Sequence, residues 1–135
     1  MMAAGATPRV LICDDSADYR AGLSHFLGRR GELEVVGTCA SGAEAIAALA
    51  RLAPDLVTLD LDLSDMGGVD AIQRIMEAHP VPIVIVSAAA GRGSTQAAEA
   101  LAAGALEALP KAVVNLDDPE GASAVALRHR LRRLA

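Results

Sequence analysis

The sequence predicts an α/β domain built on a parallel sheet with helices on both faces. Five short apolar runs alternate with five helical patterns along the 135 residues, which is the rhythm of repeated β-α-β units. Three of these runs are apolar without interruption, as expected of strands that helices cover on both faces. A chain of 135 residues also has the usual length of one domain.

The apolar runs give the strands and their order. Runs one, three and four are the uninterrupted ones and occupy residues 10–13, 56–59 and 83–86. Runs two and five, residues 33–39 and 106–109, each contain a glutamate and are expected at less covered positions. With right-handed crossovers, three central strands of this kind fit the order 2-1-3-4-5 of a doubly wound, flavodoxin-like (βα)5 sheet.

The helices are predicted by apolar residues that recur three or four positions apart. Gly28 and Gly104 mark the ends of the first and fourth helices, because glycine is favoured just beyond a helix end. Ser41 and Glu44 form a capping-box pattern that begins the second helix. The fifth helix is expected to begin within residues 117–120, since acidic side chains and proline suit a first helical turn.

Composition and charge exclude several classes of protein. Hydrophobic residues make up 53% of the chain, so a core can form. The aromatic share is 1%, from Tyr19 and Phe26 on the first helix, and the formal net charge is −5. These values disfavour base stacking and attraction to a phosphate backbone. We expect no nucleic-acid partner and no membrane association, since no apolar run approaches the roughly 18 residues of a membrane span.

Four arginines near the end of the chain are a local exception to the negative charge. They are Arg128, Arg130, Arg132 and Arg133. We interpret them as a solvated face of the last helix, because positive side chains suit the negative end of a helix.

The cysteines and the start of the chain indicate the compartment. Cys13 and Cys39 fit neither a disulfide framework nor a zinc-ligand spacing, so we expect buried, reduced thiols. The first residues lack the cationic region and long apolar stretch of a secretory signal. A cytoplasmic protein is therefore predicted, with a flexible segment at residues 1–7 and one domain at residues 8–135.

Polar residues stand at the carboxyl ends of four predicted strands. They are Asp14, Asp15, Asp60, Ser87 and Lys111. Because the carboxyl ends of parallel strands share one edge of the sheet, we expect these side chains to converge there. The carboxylates would repel one another without a cation among them. Mg²⁺ fits best, since it takes one or two carboxylates, keeps several waters and completes its shell with phosphate oxygens.

A site of this composition suits phosphoryl transfer to a carboxylate. Asp60 is the candidate nucleophile, because an aspartate can form an aspartyl phosphate when a metal offsets the opposing charges. Lys111 would bind the phosphoryl oxygens as a point charge, and the Ser87 hydroxyl would donate a hydrogen bond to one of them. Asp62, two residues further on, should overlook the phosphoryl group, and we hypothesise that it alters the rate of dephosphorylation.

In order, spacing and flanking sequence, these residues resemble the receiver domains of two-component response regulators, over about residues 8–135. Residues 10–16 resemble the family's acidic pair and residues 54–60 its phosphoacceptor strand. Residues 81–88 and 104–111 resemble the two remaining blocks. The sequence around Asp60 and Ser87 is most similar to the receiver half of chemotaxis methylesterase response regulators.

The resemblance implies a function and a set of roles. It implies that a histidine kinase phosphorylates Asp60, and that phosphorylation switches the binding of an output domain or partner protein. It also implies that Asp15, Asp60 and the backbone carbonyl of Asp62 bind Mg²⁺ directly, with Asp14 helping through water. Ser87 and Lys111 would read out the phosphate. Methylesterase regulators carry their catalytic domain after a linker, whereas the resemblance here covers the receiver half alone. We therefore expect no enzymatic activity of this chain beyond its own phosphorylation and dephosphorylation.

Four positions depart from the family pattern. Ser64 replaces a proline, Gly67 an aspartate, and Ala112 the proline after the lysine. Ala108 stands where many receivers have a Tyr or Phe that swings inward, and a methyl group cannot carry that relay.

Two alternatives follow from these observations. The altered loop and the missing aromatic leave open an interaction module that does not use phosphate. Residues 60–64 also resemble the DxDx(T/S) motif of haloacid-dehalogenase-type phosphatases. In those enzymes the motif follows the first strand, whereas here it follows the third, which disfavours a phosphatase.

Overall fold

A five-stranded parallel sheet forms the centre of the protein in the computed structural model, which describes residues 6–135. The strand order is β2-β1-β3-β4-β5, as predicted. Its members are β1 (Arg9–Cys13), β2 (Glu34–Cys39), β3 (Leu56–Leu59), β4 (Ile83–Ser87) and β5 (Glu107–Pro110). Residues 1–5 of the predicted flexible segment lie outside the described residues.

Helices alternate with the strands throughout the described part of the chain. The α-helices are α1 (Ala17–Leu27), α2 (Gly42–Leu52), α3 (Gly68–Ala78), α4 (Thr95–Ala103) and α5 (Ala122–Leu134). Three short 3-10 turns were not predicted and occupy Arg29–Gly31, Ala88–Ala90 and Lys111–Val113. None of the helices in residues 6–135 has the length and apolar character needed to cross a bilayer.

The sheet has a separate hydrophobic core on each face, because successive strand residues point to opposite sides. On β1, Leu11 packs in the core formed with α2, α3 and α4. Its neighbours Val10 and Ile12 pack in the core formed with α1 and α5. All residues of β3 and β4 are buried, which confirms the central position predicted for them.

The start of α5 differs from the prediction. The helix begins at Ala122, after turns in which Asp118 donates to the Asn115 carbonyl and Gly121 to the Asp118 carbonyl. Glu120 does not cap the helix but forms ion pairs with Arg29 and Arg30, which lie in the 3-10 turn after α1. Ion pairing with a distant segment therefore prevails over the local preference of a carboxylate for a helix start.

The interpretation of Arg128 as a solvated residue was wrong. Its side chain is 0% exposed, and its Nη1 donates to the Pro119 carbonyl over 2.7 Å. The guanidinium carbon lies 5.5 Å from the ring centroid of Phe26 on α1, and Nε lies 3.7 Å from Oε2 of Glu32. Arg128 thus connects α5 to the end of α1.

The other three arginines differ in their surroundings. Arg133 is exposed, and Arg130 forms an ion pair with Glu107 on β5. Arg132 is half-buried and donates to the Glu32 carbonyl over 3.1 Å. A solvated face therefore describes Arg133 best.

Candidate functional site

The carboxyl ends of β1 and β3 place the two buried aspartates. β1 ends at Cys13 and β3 at Leu59, and these residues are partners in the parallel register. Hydrogen bonding continues one residue further, because the Asp60 amide donates to the Cys13 carbonyl and the Asp14 amide to the Cys39 carbonyl, each over 3.0 Å. The backbone hydrogen bonds of the sheet therefore fix where both aspartates leave the strand ends.

Three carboxylates gather at this edge. Asp14, Asp15 and Asp60 each offer an oxygen, and these oxygens lie within 4.8 Å of one another. Asp14 and Asp60 are 2% and 3% exposed, whereas Asp15 is exposed. A set of carboxylate oxygens at this separation is the donor type that hard cations such as Mg²⁺ prefer.

Lys111 reaches the same carboxylates from the end of β5, the edge strand that β4 separates from β3. It follows Pro110, the last residue of β5, whose register partner on β4 is Ser87. Its Nζ lies 2.8 Å from Oδ2 of Asp14 and 3.2 Å from Oδ2 of Asp60. The structure therefore brings together four of the predicted site residues: Asp14, Asp15, Asp60 and Lys111.

The environment separates the two buried carboxyl groups in acidity. Burial raises the pKa of Asp14, and hydrogen bonds from Lys111 and Ser16 offset only part of that effect. Burial also acts on Asp60, but hydrogen bonds from the Asp62 amide, the Ser87 hydroxyl and Lys111 outweigh it and lower the pKa. Asp60 is thus kept ionised, as a carboxylate nucleophile requires.

Lys111 itself is held in its charged form. Its partial burial acts to lower the pKa, yet hydrogen bonds to Asp14 and Asp60 prevail and raise it. The ammonium therefore supplies a fixed positive charge beside Asp60 over the whole physiological pH range.

The loop after β1 orients Asp14. Its Oδ1 accepts a hydrogen bond from the Ser16 amide over 2.8 Å, and its carbonyl accepts one from Arg20 Nη1 over 2.7 Å. Ser16 is also the N-cap of α1, since its Oγ accepts from the Tyr19 amide over 3.2 Å. The acidic pair and the start of α1 consequently form one hydrogen-bonded unit.

Ser87 and Asp62 occupy different positions around Asp60. Ser87 is 0% exposed, and its Oγ accepts from the Ala89 amide over 3.1 Å, which caps the turn Ala88–Ala90. The Asp62 amide donates to Oδ1 of Asp60 over 3.1 Å. The Asp62 side chain is exposed and is not one of the carboxylates that gather at the sheet edge.

Sequence reasoning missed two residues near the site. Both carboxylate oxygens of Asp65 accept backbone hydrogen bonds at the start of α2, from Gly42 and Ala43, each over 3.0 Å. These bonds tie the loop after Asp60 to α2. The ring centroid of Tyr19 lies 4.1 Å from Lys111 Nζ. The sequence contained no signal for either contact, because both join segments far apart in the chain.

The fold and the site define a class of protein, and comparison with known families agrees. The family model for the response regulator receiver domain matches residues 10–118. The chain belongs to this family, which confirms the resemblance noted from the sequence.

Two relatives of this chain are both named as methylesterases. The chain is 42% identical over 113 residues to a protein-glutamate methylesterase/protein-glutamine glutaminase of Geobacillus kaustophilus, a match that covers 82% of this chain and 32% of the relative. It is 48% identical over 109 residues to protein-glutamate methylesterase/protein-glutamine glutaminase 4 of Geobacter metallireducens. This match covers 76% of this chain and 30% of the relative. The chain thus spans about a third of the length of these relatives.

Solved structures show the same fold. The response regulator domain of Thermotoga maritima CheB superposes with a TM-score of 0.84 at 29% identity, over 96% of both chains. A LuxR-family two-component response regulator from Aurantimonas sp. SI85-9A1 gives 0.77 at 29% identity, over 93% of this chain and 86% of that one.

Proposed function

We propose that this receiver is a phosphorylation-operated switch in which Asp60 accepts a phosphoryl group from a phosphohistidine of a histidine kinase. The observation that carries the proposal is the buried, ionised Asp60 carboxylate with Lys111 Nζ at 3.2 Å. Other acidic side chains lie close enough to share a cation with it. This combination is what an aspartyl-phosphate site needs.

The chain's own residues account for most of the transfer step. A carboxylate oxygen of Asp60 attacks phosphorus, so that a P–O bond forms while the P–N bond breaks and its electron pair returns to the imidazole. Charge spreads over the equatorial phosphoryl oxygens, and the Lys111 ammonium is placed to stabilise it. The Asp62 amide binds Oδ1 and orients the nucleophile.

The donor set fits Mg²⁺. Asp15, Asp60 and the Asp62 backbone carbonyl would hold the ion directly, and Asp14 would help through water. The ion would offset the charge between the incoming phosphoryl group and the Asp60 carboxylate. This assignment is supported by the three carboxylate oxygens within 4.8 Å of one another.

The readout begins at Ser87. Its Oγ accepts from the Ala89 amide, and its proton can be donated to a phosphoryl oxygen on Asp60. A shift of Oγ toward that oxygen would move the turn Ala88–Ala90, which it caps and which packs against both α4 and β5. Since Ala108 has no ring to swing inward, the backbone of this turn is the proposed route of the signal.

Partners and location belong to the same proposal. A histidine kinase is the donor, and an output domain or separate protein receives the signal, without nucleic acid or membrane. The curated relatives are named as methylesterases, so a catalytic domain of that type is one candidate output. The chain itself would catalyse only its own phosphorylation and dephosphorylation.

Two free, buried cysteines support a cytoplasmic location.

Intact-mass measurement after incubation with acetyl phosphate and Mg²⁺ tests the proposal. We expect one phosphoryl adduct in the wild type and none in Asp60→Ala. The matched control is Asp70→Ala, which removes an exposed carboxylate from α3 and should leave the adduct unchanged. If neither acetyl phosphate nor a histidine kinase gives an adduct that depends on Asp60, the chain is an interaction module that does not use phosphate.

A further inference from the structure

The Lys111 ammonium has partners on three sides. Two are the carboxylates of Asp14 and Asp60, at 2.8 and 3.2 Å. The third is the ring of Tyr19, whose centroid lies 4.1 Å from Nζ. A cation within about 6 Å of a ring centroid is attracted by the negative face of the ring. The ammonium therefore contacts two carboxylates and one aromatic face.

The position of Tyr19 is fixed by the same loop that carries the acidic pair. Its amide donates to Oγ of Ser16, and the Ser16 amide donates to Oδ1 of Asp14. A continuous set of hydrogen bonds thus runs from Asp14 to the backbone of Tyr19. The distance between the ring and the lysine depends on how this loop orders the first turn of α1.

The ring, and not the hydroxyl, makes the useful contact. The Tyr19 hydroxyl oxygen is buried and has no hydrogen-bond partner among residues 6–135. A carboxylate in this place would compete with a phosphoryl group for the protons of the ammonium. The face of a ring attracts the cation without accepting its protons in the same way, so the ammonium stays free to turn from Asp14 toward a new anion on Asp60.

We propose that Tyr19 is a positioning residue for phosphoryl transfer: its ring face holds the Lys111 ammonium beside Asp60 while the partners of the ammonium change from carboxylate to phosphoryl oxygen. The proposal rests on the proposed function of Asp60. It adds a residue from α1 to a set otherwise supplied by the strand ends. Tyr19 is also one of only two aromatic residues in the sequence.

Two variants separate the ring from the hydroxyl. Tyr19→Phe keeps the ring face, and Tyr19→Leu removes it while retaining an apolar residue that suits a helix. With acetyl phosphate and Mg²⁺, we expect Tyr19→Phe to be phosphorylated at the wild-type rate. We expect Tyr19→Leu to be slower by about two- to fivefold, the range that a partly exposed cation–π contact supplies.

A spectroscopic readout follows the contact itself. Lys111 is the only lysine in the sequence, so lysine-selective isotope labelling gives signals from one side chain. Protons above a ring face are shielded, so its ε-methylene protons should resonate upfield in the wild type and in Tyr19→Phe. In Tyr19→Leu they should return to the position of a free lysine. Phe26→Leu removes the other aromatic of α1 and should change neither the lysine signals nor the rate.

The outcomes distinguish this role from the phosphoacceptor function. A wild type that takes no phosphoryl group overturns both the proposed function and the role of Tyr19. A Tyr19→Leu variant that reacts at the wild-type rate overturns only the role of Tyr19. Equal slowing in Tyr19→Phe and Tyr19→Leu also overturns it, because the hydroxyl would then be the active group. Unchanged lysine signals in a slow Tyr19→Leu variant show an indirect effect and overturn it as well.

Discussion

The Nζ of Lys111 lies 2.8 Å from Oδ2 of Asp14, at the end of a different strand. The lysine therefore supplies the positive charge that the buried carboxylates require in the absence of a metal ion. Because Asp14 is 2% exposed, it cannot obtain the same compensation from water. Removing this cation would consequently leave two buried carboxylates that repel each other.

Replacing Lys111 by Met should destabilise the metal-free protein by about 2 kcal/mol, since it leaves buried carboxylates without their cation. Urea unfolding at pH 7 measures this change. The raised pKa of Lys111 means that its contribution is complete below the unfolded-state value of 10.5 and is lost as the pH rises through the folded-state value. On the alkaline side, the difference between wild type and variant should therefore shrink once the pH passes about 10.5.

Added Mg²⁺ provides the companion test. The ion should raise the unfolding midpoint of Lys111→Met more than that of the wild type, because in the variant no ammonium competes for the carboxylates. Lys111→Arg, which keeps a positive charge, is the control and should behave like the wild type. An equal Mg²⁺ effect in all three proteins contradicts the idea that the lysine and the metal ion neutralise the same carboxylates.

The Asp65 carboxylate gives a prediction for pH dependence. Hydrogen bonds from the Ala43 and Gly42 amides lower its pKa. The stabilisation is complete above the unfolded-state value of 3.8 and is lost as the pH falls through the lower folded-state value. Asp65→Ala should therefore unfold at a lower temperature than the wild type at pH 7, and the difference should disappear in strong acid. Asp65→Asn, which keeps one acceptor, should show a smaller loss.

The buried thiols should be unreactive in the folded protein. Cys13 and Cys39 are paired in the register of β1 and β2, and burial raises the pKa of both. Since only the thiolate is nucleophilic, alkylation by iodoacetamide at pH 8 should be more than about tenfold slower in native protein than in urea. Mass spectrometry of the quenched reaction counts the modified thiols. Equal rates in both conditions would show that the edge of the sheet opens.

Arg128 and Glu32 should respond differently to substitution. Arg128 Nε and Nη2 are buried without hydrogen-bond partners in the described chain, so Arg128→Met removes two unsatisfied groups and leaves a partly exposed Glu32 to water. The main loss is the bond from Nη1 to the Pro119 carbonyl, so the free energy of unfolding should fall by about 1 kcal/mol. Glu32→Gln removes the counter-charge and should cost about 2 kcal/mol. Urea unfolding of both variants decides the matter, and a larger loss in Arg128→Met contradicts this account.

The sequence predicted those features that arise from general rules of the fold. Uninterrupted apolar runs identify the central strands, and the shared edge of a parallel sheet predicts that Asp14, Asp60 and Lys111 lie together. Local patterns were less reliable, as the start of α5 shows. There, pairing of Glu120 with Arg29 and Arg30 prevails over the helix-start signal.

Contacts between distant side chains could not be predicted. Arg128 is within hydrogen-bond range of the carbonyl of Phe26, 102 residues away, and nothing in its neighbouring sequence distinguishes it from the exposed Arg133. Tyr19 fitted the apolar spacing of a helix, so its contact with Lys111 carried no signature in the sequence. Such pairs depend on how helices pack on the sheet, and the periodicity of one chain does not report this.

The position of Asp62 gives a prediction for the lifetime of the phosphorylated state. Its amide is bonded to Asp60 and its side chain is exposed two residues beyond the acceptor. We hypothesise that this carboxylate flanks the path of water to the phosphoryl group. A carboxylate there can accept a proton from the attacking water, as a general base does. Asp62→Asn should therefore slow the decay of the aspartyl phosphate, by less than the roughly hundredfold that a well-positioned general base supplies.

Decay of the phosphoryl adduct, followed by intact mass after removal of the donor, measures this effect. Asp70→Asn makes the same charge change on α3, where the carboxylate pairs with Arg74, and should leave the lifetime unaltered. A longer lifetime in both variants would point to the overall charge of the protein rather than to water activation at the site. An unchanged lifetime in Asp62→Asn means that water reaches phosphorus without help from this side chain, and that the Asp62 amide alone matters to the site.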